Sequence, residues 1–402
     1  MKIRTKLLLG FLALMLLIAG CGTSGGGGGG GGHAIHVSAA GATKAGYRVG
    51  TNGAWQQPSD PENFSFNASG AYEVALYCPG SNAYLVYALT ANEAQDLYTP
   101  CDDPTTVSFD VIYDVSAVSG AANAAVVHKA SAGPVFGYGT SGTINLSGAL
   151  PGTQDLVVVA LDNSGQILAA KMLAGVDVQN GQTFNVALGP SDTVSQSGSF
   201  PDFSSQVPSG WSGFWAAFAI TPAKTRLLAG ASSMGGWNYY EFPFATRYTF
   251  MAGIYKTSPL QSRVYYTNRA ASDGAPGITA GDFPDAVTYS FDKSSGEFSG
   301  LVNPAGLTAY SFSLNWSGVT RSDFVSAGYL GSDAAYTLPT LPADMSAGDG
   351  YASASGSLQV SYLITNKDLQ TLADASRTYK VSWTLQLLDG IEVKAASIEG
   401  SF

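Results

Sequence analysis

AYEVALYCPGSNAYLVYAL, residues 71–89, places two apolar runs on either side of a Pro79-Gly80-Ser81 break. Tyr, Val and Leu dominate both runs, and these side chains fit a pleated, half-buried surface. The stretch therefore reads as two strands, AYEVALYC (71–78) and NAYLVYAL (82–89). Outward from it the same rhythm holds along most of the chain. Clusters of Gly, Ser, Thr, Asn and Asp recur about every ten residues and separate short runs rich in Tyr, Phe, Val and Thr, the pattern of an all-β sandwich or barrel. Of the 402 residues, 45% are hydrophobic and 11% aromatic against 12% charged, enough apolar surface for substantial cores across two or three domains.

The N-terminus follows a different logic. Met1-Lys2-Ile3-Arg4-Thr5-Lys6 is a basic start, and Leu7 to Ile18 is nearly all apolar. That is the build of a secretory signal, too short for the about 20 apolar residues that span a bilayer. The exit from the run, Ile18-Ala19-Gly20-Cys21, resembles the lipobox of bacterial lipoproteins: an aliphatic residue, two small ones, then cysteine. The resemblance implies that the Cys21 thiol takes a diacylglycerol, that residues 1–20 are removed as a signal peptide, and that the new amino group is acylated. Several acyl chains account for stable anchoring, since one alone binds only marginally. Gly22 follows the cysteine in place of Asp, which by the same resemblance implies the outer membrane of the bacterial cell envelope. Residues 21–33, with eight consecutive glycines, read as a lipidated, flexible tether.

Without residues 1–20 the chain keeps 16 basic against 29 acidic residues, a net charge near −13. Nucleic acid is not an expected partner, because phosphate binding needs clustered Lys and Arg. With Cys21 lipidated, Cys78 and Cys101 remain as an even pair in an exported chain, and a disulfide is their natural state. The expected organisation is a disulfide-stapled β-domain at 34–108, a β-sandwich domain at 109–190, a linker at 191–210 and a large β-domain at 211–402. The fold class is thus all-β: two small sandwich-like domains, then a larger aromatic-rich β-domain, with few short helices. Thr90-Ala91-Asn92-Glu93 looks like a capping box opening a helix to about Tyr98. NKDLQTLADAS (366–376) reads as a second helix, with Asn366 as its cap and Leu369, Leu372 and Ala373 on one face. The stretch 150–190, with its Leu-Pro-Gly-Thr entry and late Asn-Gly-Gln turn, resembles the prealbumin-like sandwich repeats of exported bacterial proteins. Those repeats are spacers or binding modules, so the resemblance implies no active site.

Several patterns imitate chemistry. ASSMGG (231–236) approaches the nucleophile elbow of α/β-hydrolases, with Ser233 in the nucleophile's place, but that motif needs a helix after it and a histidine downstream. His33, His36 and His128 all lie upstream. Gly137-Tyr138-Gly139-Thr140-Ser141-Gly142 spells a dinucleotide fingerprint, which works only where a strand turns into a helix, and TINLSG is no helix. His33 and His36, three apart on a strand, face opposite sides and make no metal site. Asp102-Asp103 lacks the ligand loop that calcium needs. No catalytic residue, metal site or cofactor is expected.

Trp237 and Tyr239 remain as candidates for ligand stacking. On a strand they share one face, and flat rings beside Asn238 or Glu241 could hold a sugar, although rings of this kind more often fill a core. The expected role is a lipid-anchored envelope protein of structural or binding type, its partners the membrane and a polysaccharide or envelope protein. A surface glycan-binding or adhesin-like module is one alternative, and an envelope hydrolase the other.

Overall fold

The computed structural model describes residues 32–102, 104–131, 133–380 and 384–402. The expected signal peptide, Cys21, the expected tether as far as Gly31, and Asp103 lie outside the described residues. The first block carries β1 (His33–Ser38), β2 (Lys44–Val49), β3 (Asn63–Ala68), β4 (Ala71–Cys78), β5 (Ala83–Thr90) and β6 (Asp96–Tyr98). The second carries β7 (Val107–Asp114), β8 (Asn123–Val127), β9 (Val135–Tyr138), β10 (Ser141–Ala149), β11 (Gly152–Leu161), β12 (Ile167–Val178) and β13 (Thr183–Ala187). After these come β14 (Gly198–Phe200), β15 (Ser212–Ile220), β16 (Arg226–Ser233), β17 (Trp237–Tyr239), β18 (Arg247–Thr257) and β19 (Leu260–Ala270). The remainder holds β20 (Ser290–Asp292), β21 (Glu297–Ser299), β22 (Leu307–Trp316), β23 (Val319–Ser326), β24 (Ala335–Thr337), β25 (Ser357–Thr365) and β26 (Glu392–Ser401). Among the described residues two α-helices, α1 (Ala327–Leu330) and α2 (Leu369–Tyr379), accompany them. The fold is all-β with few short helices, as its periodicity requires.

Eleven strands form one sheet in the order β16-β15-β18-β19-β26-β25-β22-β23-β5-β4-β2. The runs quoted at the outset are β4 and β5, paired from Ala71 with Thr90 to Cys78 with Ala83. Their alternate residues serve two cores: Tyr72, Val74, Leu76, Tyr87 and Leu89 on one side, Ala75, Tyr84 and Val86 on the other. Strands buried on both faces read as continuous apolar runs, and such runs need covering layers. That cover corrects the expected boundary at 108. β5 pairs in parallel with β23, Ala83 against Thr320 through Ala88 against Val325, so β2, β4 and β5 complete the sheet of the C-terminal region instead of forming a separate domain. The small sheet β3-β1-β6 belongs to the same core through Ile35, Val37, Phe64 and Leu97. β26 sits in the middle, with β19 on one side and β25 on the other.

Residues 107–187 make a sandwich of two sheets, β10-β7-β13 and β12-β11-β8-β9. Phe109, Val111, Ile144, Leu156, Val158 and Ala160 fill its interior. The opposite residues of β11, Val157, Val159 and Leu161, leave the sandwich and join Trp215, Ala217 and Phe250 of the large sheet in a shared core. The sandwich is therefore the outer layer of a continuous body. The expected linker at 191–210 is also corrected: β14 pairs with β17, and Phe200 and Phe203 are fully buried in that shared core. Its Ser, Pro and Gly content concealed two aromatic plugs.

Local signals fared unevenly. α2 forms where expected and buries Leu369, Leu372 and Ala373, but Asp368 is the cap, accepting from the Thr371 amide at 2.6 Å. Asn366 instead accepts from the Glu392 amide and donates to the Gly390 carbonyl, both at 2.9 Å. Glu93 does accept from Thr90, as a capping box prescribes, yet no helix follows. The chain turns into β6, which pairs in parallel with β1, and Glu93 turns outward to take the Gly328 amide at 2.7 Å. Cys78 and Cys101 are joined, Cα atoms 4.9 Å apart, which ties the end of β4 to the segment after β6.

Candidate functional site

The two stacking candidates separate. Tyr239 is buried in the shared core, its ring 5.5 Å from Tyr248 and 5.3 Å from Phe250. Gly198 lies flat against it, and a Cβ there would come within 2.2 Å of the ring. Trp237, two residues earlier, is 56% exposed. Strand alternation puts both on one face, but the covering layer ends between them, so one fills the core and the other projects into solvent. The structure contains no Trp237–Tyr239 platform. Glu241 accepts from Ser197 at 2.7 Å, and Asn238 is exposed.

The other motifs resolve as architecture. Ser233 ends β16 opposite Phe214, and the next element is the strand β17. The glycine fingerprint at 137–142 is the turn from β9 to β10, where Gly137 backs onto Tyr113 and Ile144 so closely that a Cβ would sit 2.6 Å from the tyrosine. His33 and His36 lie on β1 with different partners, Gln95 at 3.0 Å and Ser65 at 2.8 Å. Asp102 packs against Gly41, whose φ of +83° and absent Cβ make the room. Among the described residues no group of three His, Cys, Asp or Glu could hold a metal, and no helix is long and apolar enough to cross a membrane.

The strongest polar chemistry is buried where sequence reasoning did not look. Arg321 and Asp323, both fully buried, face each other two residues apart on β23. Arg321 donates to both Asp323 oxygens at 2.8 and 3.0 Å, to Asp349 at 2.5 Å and to the Pro339 carbonyl at 2.8 Å. Tyr336 adds its hydroxyl to Asp323 at 2.9 Å. Burial alone would lower the arginine pKa, but the two carboxylates and Tyr336 hold it above its ordinary value. Burial, with the charge of Asp323, drives the Tyr336 pKa well up. Glu73 of β4 is a second such anchor, gripped by Arg48 at 2.6 and 2.9 Å and by the Tyr329 hydroxyl. Each carboxylate is occupied by donors, which suits it to bracing strands against their neighbours. The visible signal was a charge inside an apolar run: Glu73 in AYEVALYC, and Arg321 and Asp323 in VTRSDFVS.

No family model matches the chain, and no curated protein matches it.

Two shallow clefts open on the surface of the described residues. One, of about 340 Å³, lies at the end of the sandwich between Ser108, Asp110, Asn145 and Asn180, where Asn145 donates to Asp110 at 2.6 Å. The other, of about 450 Å³, lies beside Tyr289, Phe291, Lys293, Glu399 and Phe402. Amide and carboxylate groups line the first, and rings with one charge of each sign line the second.

His128 follows directly after β8 inside the body, 3% exposed, with its Nδ1 unpartnered among the described residues and its ring edge-on to Phe109 at 6.1 Å. Burial pushes its pKa down to about 4 from 6.5. The unfolded chain therefore takes up this proton near pH 6.5 while the folded one refuses it until about pH 4, so stability falls as pH drops through that window and the effect saturates below it. Between pH 7 and 5 the loss from this one group should be about 2 kcal/mol. Urea titrations at the two pH values should show that difference in the wild type and a much smaller one in His128→Leu.

Proposed function

We propose that the chain is a lipoprotein of the bacterial cell envelope, held in the outer membrane by acyl groups on Cys21 and acting as a non-enzymatic binding or structural body. One observation carries the reading: Ile18-Ala19-Gly20-Cys21 closes an apolar run, and eight glycines separate it from the first folded strand at His33. An anchor followed at once by a folded domain would press that domain on the headgroups. A glycine-rich stretch of the length that separates Cys21 from His33 in the sequence has a root-mean-square span of about 20 Å and a limit near 40 Å, enough to lift the body clear. The Cys78–Cys101 bond supports an oxidising, extracytoplasmic address. The buried acids support a bracing role, because Glu73 and Asp323 are bound by arginine and tyrosine and are poorly suited to move protons. Growth with a labelled fatty acid should label the wild-type protein and leave Cys21→Ser unlabelled; equal labelling of the two would remove the proposal.

A further inference from the structure

Beyond the basic start at residues 1–6, basic residues are scarce and form no run in the sequence, yet the fold collects five of them around the turn at Thr384–Leu387. Lys224 donates to the Leu387 carbonyl at 3.2 Å and to Asp389 at 2.8 Å, and Arg247 meets the same Asp389 oxygen at 3.2 Å. Arg226 donates to Gln386 at 2.5 Å and lies over the Phe218 ring at 4.4 Å. Phe218 packs with Tyr379 against Ile220 and Leu387, and Lys129 reaches over the Tyr379 ring at 5.9 Å. Lys380 follows Tyr379 and is exposed. Two carboxylates are near these cations. Asp389 is 62% exposed, and Asp155 is buried with its oxygens taken by the Gly175 and Ala223 amides, both at 2.8 Å. The result is a cationic belt on a body whose net charge is near −13.

We propose that this belt docks the folded body onto anionic phospholipid headgroups of the membrane that holds its tether. The inference rests on the lipid-anchor reading for the nearness of that membrane, and its geometry comes from the fold. The tether enters at His33, which bonds Gln95, and the Gln95 amide donates to Gln370 in the first turn of α2 at 3.4 Å. From there α2 runs for 11 residues, about 16 Å, to Lys380. Lys380, at the edge of the belt, thus lies about one helix length from the Gln95–Gln370 contact beside His33, a distance shorter than a glycine-rich stretch as long as residues 21–33 can span. Charge favours this face turning inward: an anionic surface repels an acidic body on the whole and attracts it where cations cluster.

The test uses the lipid-bearing full chain on vesicles of phosphatidylcholine alone and of phosphatidylcholine with phosphatidylglycerol. Flotation reads the anchor, and amine acetylation followed by mass spectrometry reads the face. On anionic vesicles Lys129, Lys224 and Lys380 should acetylate roughly fivefold more slowly than on neutral ones, with Lys44 and Lys293 unchanged, and high salt should abolish the difference. Lys224→Glu with Lys380→Glu should release Lys129 from protection. Protein that floats on both vesicles with equal acetylation overturns the docking and leaves the anchor standing. Protein that fails to float on neutral vesicles overturns the anchor, and the belt is then upheld only by flotation on anionic ones. Equal protection by inorganic phosphate or a soluble acidic polysaccharide on neutral vesicles also overturns membrane docking.

Discussion

Arg321→Met should destabilise the fold by about 3–5 kcal/mol, because it strands the carboxylate of Asp323 in a site from which water is excluded. Both side chains are fully buried, and the arginine supplies two of the three hydrogen bonds that Asp323 receives. Asp349 loses its arginine in the same step and keeps the Leu341 amide at 3.0 Å. The attraction between two buried charges roughly repays their desolvation, so removing the pair together should hurt far less than removing one member. Arg321→Met with Asp323→Leu should therefore recover much of the loss. Denaturant titration of wild type, both single variants and the double variant closes the cycle. A single-variant loss under about 1 kcal/mol would mean that water reaches the site.

Phe200→Ala should cost a similar amount, about 3–5 kcal/mol, although the residue lies in a segment rich in Ser, Pro and Gly. Its ring is fully buried and stacked on Trp215 at 4.7 Å with 3° between the planes, and Phe203 and Phe250 close the cluster. Truncation leaves a cavity between the sandwich and the large sheet, the contact that joins the two. The unfolding transition should move to lower urea, and the sandwich should begin to unfold separately. Ser205→Ala, at an exposed position nearby, should change neither. Equal stabilities of Phe200→Ala and wild type would restore the linker.

These two cases mark where reading the chain stops being sufficient. Strand identity is local: alternation and turn residues place β4, β5, β11 and β22 without help from the rest of the molecule. Strand partnership is not local, since nothing in NAYLVYAL names VTRSDFVS as its neighbour, and the expected domain boundary at 108 failed for that reason. Continuous burial of β4 and β11 did carry a hint, because a strand apolar on both faces must be covered twice. Charges inside apolar runs carried another, and Glu73, Arg321 and Asp323 proved to be the fold's main buried ion pairs. Trp237 and Tyr239 show the limit of periodicity at a rim, where two residues on one face meet different surroundings. At Thr90 only the Glu93 half of the capping box formed, and no helix followed, because pairing with β1 was the stronger option for Asp96–Tyr98.

The position of β26 has a consequence in time. Four strands, β16, β15, β18 and β19, lie on one side of it and six, from β25 to β2, on the other. Until residues 392–401 are available, the large sheet exists as two separate half-sheets, each with an open edge, and β5 must already have waited for β23. Such long-range closure is slow and leaves unpaired strands vulnerable to wrong partners. A newly made copy of this chain is therefore at greatest risk of aggregation just before β26 slots in, and that is the stage at which a holdase chaperone would matter most to its yield.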